Sequence, residues 1–391
     1  MADIYQEALE FFPYTQGLRR DLHLHPELGF QEVRTAGIVA RELQQLGLEV
    51  TTGIAKTGVV AMLEGAAPGP TALLRFDMDA LPIQEETGAE YASLHPGVMH
   101  ACGHDAHVAV GLTAARLLWK HRAELKGSIK LVFQPAEEGL GGAEAMLAAG
   151  VLENPKVDLA LALHIWNEKP VGWVTAPPGP LMAGGEIFKV VVTGKGGHGA
   201  LPQATVDPVI AAAHMITALQ TIVARNISPL EAAVVSVCQV KAGEAFNVIP
   251  QTAEFSGTIR TFDPSVRQQV IERFEAVVKG VAQALDCQAV CEIKRLTPAV
   301  INDPALAAAV TETARTVLPD VTIVQDHRLM VSEDMAFLME KVPGCYFLVG
   351  SANPEKGLVY GHHHPRFDID EAALPRAAAL IAAAALHLLK Q

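Results

Sequence analysis

The chain has 391 residues, half of them apolar, and its 30 basic and 43 acidic side chains give a formal net charge of −13. This length fits about two domains, and the apolar content argues against disorder. The acidic balance argues against nucleic acid as a partner, because no basic surface is available to bind phosphates.

The segments that direct a protein to a membrane are not evident. The N-terminus, MADIYQEALEFF, is acidic instead of basic, and no stretch matches the roughly 18 uncharged apolar residues of a membrane span. Five cysteines, an odd number spread over a long chain, argue for a reducing compartment and against a disulfide framework. We therefore expect a cytoplasmic protein without a membrane partner.

The first 180 residues alternate helical and strand patterns. Helices are predicted over 5–21, 34–46 and 105–124, the last of them capped by Asp105. Strands are predicted in TALLRFDMDALP, in SIKLVFQP as far as Pro135, and in VDLALALHIW. This alternation indicates a layered α/β sheet, in which ligands bind at the loops beyond the carboxyl ends of the strands.

After the Pro- and Gly-rich PPGPLMAGGE the pattern changes to β-α-β-β-α-β. Its predicted strands are 186–193, 232–241, 251–260 and 287–294, and its helices are 205–224 and 264–285. The alternation of helices and strands seen in the first 180 residues then resumes. Its predicted helices are 304–317, 332–340 and one from about 371, and its predicted strands are 321–325 and 345–349. We predict an α/β main domain, a mixed sheet flanked by helices, formed by residues 1–183 and 297–391. A ferredoxin-like α+β domain, 184–296, interrupts it.

The segment GVMHACGHDAH, residues 97–107, concentrates metal-ligating side chains. In an extended segment Cys102 and His104 would leave the same face and could reach one ion. A thiolate with an imidazole suits zinc or, depending on geometry, manganese, cobalt or nickel. For this motif alone, the alternative is a loop histidine beside a buried cysteine.

Two further predicted strands end in potential ligands. Glu137 and Glu138 follow the break at Pro135, which would let one carboxylate bind a metal and the other act as a base; the alternative is an acidic helix N-terminus. His164 closes an apolar strand, where an unpaired imidazole would cost roughly 1–3 kcal/mol. A hydrogen-bonded core histidine is the plainer explanation for it.

A run of three histidines, 362–364, lies upstream of the final helix. In an extended segment the first and third share a face, so one ion cannot easily use all three; a surface run is the alternative for two of them. All these donors lie in loops that would meet in one cleft. Five ligands exceed the needs of a tetrahedral ion and suit two ions that share a bridge, with Glu137 remaining as a base. They are Cys102, His104, Glu138, His164 and one histidine of the run.

Nine segments now show a resemblance that spans essentially the whole chain. They are LRRDLHLHPELGFQE, RFDMDALPIQEETG, MHACGHDAHVA, FQPAEEGLGGA, LALHIW, GKGGHGALPQATVDPV, FNVIPQTAEFSGTIRTF, VSEDMAFL and HHHPRFDID, in this order. Together they resemble the dinuclear metallo-amidohydrolases that include hippurate hydrolases, N-acyl-amino-acid amidohydrolases and plant auxin-conjugate hydrolases. This group is related to the aminoacylases and carboxypeptidases.

The resemblance implies a metallopeptidase-type catalytic domain with an inserted lid or dimerisation domain. It implies Glu137 as the general base and a lid histidine, His198, that supports the oxyanion. We expect Asp79 to orient a ligand, as ligating histidines generally require. Asn247 and Arg260 would hold the carboxylate of the substrate. The implied ligands are Cys102, which bridges the ions, His104, Glu138, His164 and His363. His363 is chosen because the ligating histidine of the family stands two residues before a proline. Since the run has three histidines, His362 or His364 could be the ligand in its place.

The resemblance therefore predicts hydrolysis of N-acyl amino acids with two divalent ions (Zn, Mn, Co or Ni) in a homodimer or tetramer. A carboxypeptidase- or dipeptidase-like hydrolase on the same site is the alternative. A dinucleotide-binding oxidoreductase is a rival, since GKGGHG matches G-x-G-x-x-G from Gly194 to Gly199. Against it, Pro202 delays the helix and no acid ends the following predicted strand near Lys241. A catalytically silent metal-binding protein would have no use for the base Glu137.

Overall fold

The computed structural model describes residues 3–390, and the elements below are those within this range. Its helices are α1 (Ile4–Glu10), α2 (Phe12–Leu24), α3 (Val33–Gln45), α4 (His104–Lys120), α5 (Gly142–Ala148), α6 (Pro208–Thr221), α7 (Pro264–Ala284), α8 (Pro304–Val317), α9 (Met335–Met339) and α10 (Ala373–Leu389). Its strands are β1 (Glu49–Ile54), β2 (Gly58–Glu64), β3 (Ala67–Asp77), β4 (Lys126–Gln134), β5 (Leu159–Pro170), β6 (Trp173–Thr175), β7 (Gly179–Met182), β8 (Gly184–Thr193), β9 (Gly197–His198), β10 (Ala233–Ala242), β11 (Val248–Ile249), β12 (Thr252–Thr261), β13 (Gln288–Thr297), β14 (Val300–Asn302), β15 (Thr322–Val324) and β16 (Gly344–Ala352).

The chain forms two compact units. The first comprises the residues up to Leu181, Ile301–His327 and those from Asp334 onward. The second comprises Met182–Val300 and the short segment Arg328–Glu333, whereas the insert predicted from the sequence covered 184–296 and lacked that segment.

The first unit contains an eight-stranded mixed sheet in the order β1-β2-β4-β3-β5-β16-β6-β15. Its centre is parallel, since β3 pairs in parallel with β4 and β5, and β16 with β5. Of these strands, β4 and β16 are buried along almost their whole length, which is why apolar residues occur on both of their faces. Helix α10 packs against β5, β16 and α4, and α4 also packs against β3. The predicted α/β class with a mixed sheet flanked by helices is confirmed.

The second unit has an antiparallel sheet in the order β10-β12-β8-β13. With α6 after β8 and α7 after β12, its chain order is β-α-β-β-α-β, which is the ferredoxin-like connectivity. One alternating face of the strands packs with α6 and α7 in a separate apolar core that includes Phe188, Phe255 and Phe274.

Residues 208–226 correct one expectation. This helix, α6 with its continuation, is long and apolar enough to cross a membrane by length and composition, although no such segment was expected. A core helix passes the same test, and α6 contributes Ala211, Met215 and Leu219 to the core of the second unit.

Candidate active site

Two neighbouring parallel strands, β3 and β4, end at one edge of the central sheet, level with the middle of a third strand, β5. Since β5 continues past His164 to Pro170, the prediction that His164 closes its strand is wrong. Asp77, the last residue of β3, is level with Gln134, the last residue of β4. On the other side of β3, Arg75 pairs with Ala162, so Asp77 is also level with His164 two residues further along β5. The loops that follow β3 and β4 therefore begin beside His164. This is the edge at which α/β sheets place their ligands.

Cys102 and His104 meet through a turn and not through an extended segment. Gly103 between them has a left-handed backbone, with φ 88°, and forms the N-cap of α4, so His104 is the first helical residue. Glycine suits this position because an L side chain rarely adopts positive φ. The predicted extended geometry is wrong, but both side chains still point into one cluster.

Asp105 does not cap α4, contrary to the prediction. It lies in the first turn and accepts hydrogen bonds from Arg19 Nε at 2.8 Å, and its Oδ2 lies 2.8 Å from His23 Nδ1. Both partners come from α2 and both are fully buried. The carboxylate therefore anchors α4 to α2 through buried charge.

Side chains from four separate segments converge next to these strand ends. Cys102 Sγ lies 3.5 Å from His164 Nε2, and Glu138 Oε1 lies 3.1 Å from His363 Nε2. Within each of three overlapping groups, all potential ligand atoms lie within 4.8 Å of one another. These groups are Cys102 with His104 and His164, Cys102 with Glu138 and His363, and His104 with Glu137 and Glu138.

The three histidines of the C-terminal run have different environments. The side chain of His363 is about half exposed, its backbone N–H donates to Ala101 O at 2.8 Å, and its φ is 65°. His362 accepts from Asn167 N at 3.2 Å, and burial lowers its pKa to about 3. His364 stacks on Tyr360, with ring centroids 4.4 Å apart. His362 Nδ1 also lies 3.8 Å from Cys102 Sγ, but of the three histidines in this run only His363 shares a ligand group with Glu138.

Asp79 contacts two of the predicted ligands. The Nδ1 atom of His104 lies 2.8 Å from the Asp79 carbonyl oxygen and 3.2 Å from its Oδ1, while Glu138 N donates to Oδ2 at 3.0 Å. On the His104 ring these hydrogen bonds involve only Nδ1. The other nitrogen, Nε2, is buried and has no hydrogen-bond partner among the described residues. A buried ring nitrogen in this state is suited to bind a cation.

The charges of the cluster fit cations as well. Burial lowers the pKa of His104, but Asp77 and Asp79 outweigh it and raise that pKa to about 10. The hydrogen bond to Glu138 raises the pKa of His363. The carboxylates thus favour the positively charged form of both imidazoles, at places where a cation could replace the proton.

Burial favours the neutral form of the other two donors. It lowers the pKa of His164 and raises that of the Cys102 thiol, which Glu138 and Glu137 raise further. A neutral imidazole is ready to bind a metal, whereas the thiol has to lose its proton when an ion enters. The donor set, with one thiol, three imidazoles and a carboxylate, fits borderline-soft divalent metals.

Sequence reasoning missed two residues that support this cluster. Asp77 Oδ1 lies 2.5 Å from His107 Nδ1, and His107 Nε2 accepts from Ile165 N at 3.0 Å. His107 therefore joins β3 to the backbone beside His164. Its position three residues after His104, one helical turn on, was the available signal.

The predicted lid residues all lie in the second unit. His198 is exposed on β9, which pairs with β11 next to Asn247, so these two residues are neighbours. The Nδ1 atom of His198 accepts from Ala200 N at 3.0 Å, which leaves Nε2 as the protonated nitrogen of the neutral ring. Arg260, on β12, donates to Ser332 Oγ at 2.8 Å. A Cβ on Gly185 would lie 2.2 Å from Nη1 of Arg260, so the glycine leaves room for the guanidinium of Arg260.

The dinucleotide-binding alternative is not supported. After β8, GKGGHG continues into the short strand β9, and helix α6 begins only at Pro208. A dinucleotide fingerprint requires the helix to begin at the glycines, where its N-terminus binds the pyrophosphate. Here Gly194 instead permits close packing, since a Cβ would lie 2.1 Å from Val206 O.

Known proteins resemble most of this chain. A model of the peptidase family M20/M25/M40 matches residues 73–387. The IAA-amino acid hydrolase ILR1-like 4 of Arabidopsis thaliana is 41% identical over 384 residues, covering 97% of this chain and 87% of that protein. The N-acetyl-L-cysteine deacetylase of Bacillus subtilis (strain 168) is 40% identical over 373 residues, covering 95% and 88%.

A solved structure resembles the whole fold. The Bacillus subtilis YXEP protein, described as a dinuclear metal binding peptidase from the M20 family, matches with a TM-score of 0.86 and 38% identity. The match covers 97% of this chain and 99% of that one. The chain therefore belongs to peptidase family M20/M25/M40.

Proposed function

We propose that this chain is a metal-dependent amidohydrolase that cleaves N-acyl amino acids into a carboxylate and an amino acid. The observation that carries the proposal is that donor side chains from four segments converge, and that a further carboxylate, that of Glu137, lies next to them. Two relatives have names that describe hydrolysis of such conjugates, an IAA-amino acid hydrolase and an N-acetyl-L-cysteine deacetylase.

Two divalent ions would be held by five residues. Once bound, such ions polarise the substrate carbonyl and make water more acidic. Zinc, manganese, cobalt and nickel all suit the donors, and His363 is preferred to its neighbours because its Nε2 faces Glu138. The proposed ligands are Cys102, His104, Glu138, His164 and His363.

Glu137 is the proposed general base. It lies within 4.8 Å of the ligand atoms of His104 and Glu138, so a water molecule attacking a carbonyl there is within its reach. Its carboxylate would take a proton from that water and return it to the nitrogen of the leaving amine. The pair of adjacent glutamates thus divides binding and proton transfer.

The lid residues would hold the rest of the substrate. His198 presents a protonated Nε2, which can donate a hydrogen bond to the oxyanion. The guanidinium of Arg260 can bind the carboxylate of the amino acid through two N–H groups, and Asn247 can add a further donor.

Assays of purified protein test the proposal. Metal-loaded protein should release amino acid from a panel of acetyl-, benzoyl- and long-acyl amino acids, lose this activity with a chelator and regain it with metal. Faster hydrolysis of dipeptides with a free amine would instead support the dipeptidase alternative. No hydrolysis of any acyl substrate would refute the proposal.

Two adjacent substitutions separate the proposed roles. Glu137→Gln should lower kcat by on the order of 10³ and keep the metal, whereas Glu138→Ala should lose metal. Glu144→Gln, an exposed glutamate on α5, is the matched control and should leave both properties unchanged. Normal turnover of Glu137→Gln would overturn the assignment of the base.

A cytoplasmic location and a homodimer or tetramer complete the proposal. The sheet of the second unit ends in β10 and β13, whose edges could pair with another chain. Sedimentation of the purified protein would measure its assembly.

A further inference from the structure

The turn that carries the two glutamates has an unusual backbone. Ala136, directly before Glu137, has a φ of 55° and is fully buried. Residues other than glycine rarely adopt this left-handed conformation, and they keep it only where the surroundings hold them. The directions of Glu137 and Glu138 depend on what holds Ala136.

Two buried carboxylates hold the turn through its backbone. Ala136 N donates to Glu32 Oε1 at 2.9 Å, and Glu138 N donates to Asp79 Oδ2 at 3.0 Å. Glu32 is 0% exposed, and its second oxygen accepts from Thr57 Oγ1 at 2.6 Å. The Glu32 carboxylate is therefore fixed between Thr57, directly before β2, and the turn that carries the glutamates, which lies 104 residues later in the chain.

The segment before α3 also packs directly on the turn. A Cβ on Gly29 would lie 3.1 Å from both Cα and Cβ of Ala136, closer than ordinary van der Waals contact, so glycine favours this approach. Glu32 precedes α3, but its side chain does not cap that helix. Glu27 does so, since its two oxygens accept from Arg34 N at 2.9 Å and Thr35 N at 2.8 Å. Helix capping therefore does not explain the burial of Glu32.

We propose that Glu32 is a positioning residue for the active site: it holds Ala136 in its left-handed conformation and thereby aims Glu137 and Glu138 at the ligand cluster. The effect on turnover rests on the proposed function. The effects on the turn and on metal binding do not, because they need no substrate.

Three variants test this role. Glu32→Ala should lower kcat about 10- to 100-fold and weaken metal binding about tenfold, with KM within about threefold. Glu32→Gln should restore kcat to within about threefold, because its amide oxygen still accepts from Ala136 N and the Thr57 hydroxyl can accept as well as donate. Glu27→Ala is the matched control. It should lower Tm comparably and leave kcat and metal affinity within about twofold of wild type, because Glu27 contacts the same helix but not the turn.

Hydrogen exchange provides a readout that needs neither substrate nor metal. In the metal-free protein the amide of Ala136 should exchange faster in Glu32→Ala than in Glu27→Ala, compared at equal global stability. Equal exchange, kcat and metal affinity in these two variants would overturn the proposal and make Glu32 a purely structural residue. If wild type hydrolyses no N-acyl amino acid, the proposed function fails, while exchange and metal affinity still decide the role of Glu32.

A milder substitution covers the case in which Glu32→Ala does not fold. Thr57→Val removes the hydroxyl that holds the second oxygen of Glu32 and leaves the carboxylate in place. It should speed exchange at Ala136 and lower kcat several-fold. Wild-type values for both would contradict the proposal.

Discussion

Replacing Asp79 by asparagine tests how His104 and Glu138 are held. In the native protein both Asp79 oxygens receive N–H groups, from His104 Nδ1 and from Glu138 N. Asparagine has one oxygen and one NH₂ group, so in either orientation of the amide one donor meets another donor. The bond from His104 to the Asp79 carbonyl oxygen, 2.8 Å, survives the change.

The structure therefore predicts the loss of one charge-assisted hydrogen bond. Such a bond contributes about 1.5–3 kcal/mol, which corresponds to roughly 10- to 150-fold in an equilibrium constant. Residues that orient ligands typically change metal affinity 10- to 100-fold, so we expect Asp79→Asn to raise the Kd for zinc by about that factor. Competition with a chromophoric chelator measures it.

A matched control lies nearer the start of β3, the strand that Asp79 follows. Asp158 accepts from Thr71 N at 2.8 Å there, so Asp158→Asn also weakens a carboxylate-to-backbone bond of β3. It should keep the native Kd. If Asp79→Asn folds and binds zinc as tightly as Asp158→Asn does, then Asp79 does not orient the ligands.

Three further predictions concern other parts of the chain. His107→Phe should weaken metal binding about tenfold, measured by the same competition, because Asp77 and the Ile165 N–H lose their partner. Burial opposes protonation of His23, but Asp105 raises its pKa to about 9 from 6.5, so its stabilisation is complete below pH 6.5 and is lost as the pH rises through 9. The free energy of unfolding, measured with urea, should therefore fall by on the order of 3 kcal/mol more in wild type than in His23→Gln over this range. Arg260→Lys should raise KM for N-acyl amino acids about tenfold and leave KM for the corresponding N-acyl amines unchanged, because lysine loses the bidentate contact to the carboxylate.

Much of the fold could be predicted from local signals. Helix α8 has the predicted bounds, 304–317. Asp303 caps it and Pro304 begins it, and both are local signals that the sequence displays. The predicted helix 5–21 is divided at Phe11 into α1 and α2, and Pro13 lies in the first turn of the second helix. Proline marks a helix start as readily as a helix end, so periodicity alone does not locate this break.

The site was predictable to the extent that its chemistry is visible in residue types. Cysteine, histidine and paired glutamates beyond strand ends indicate a metal centre before any contact is known. The roles of Asp77 and Glu32 were not predictable, because each depends on a hydrogen bond to a residue far along the chain. Asp105 was assigned to a helix cap on its position alone, whereas its buried partner Arg19 lies on another helix.

The central claim is that two cations bind at this cluster, with Cys102 between them. Anomalous diffraction from crystals of the metal-loaded protein tests it most directly. We predict two anomalous peaks per chain, both in contact with Cys102 Sγ and one of them with His363. A single peak, or two peaks without Cys102 as a ligand, would contradict the account.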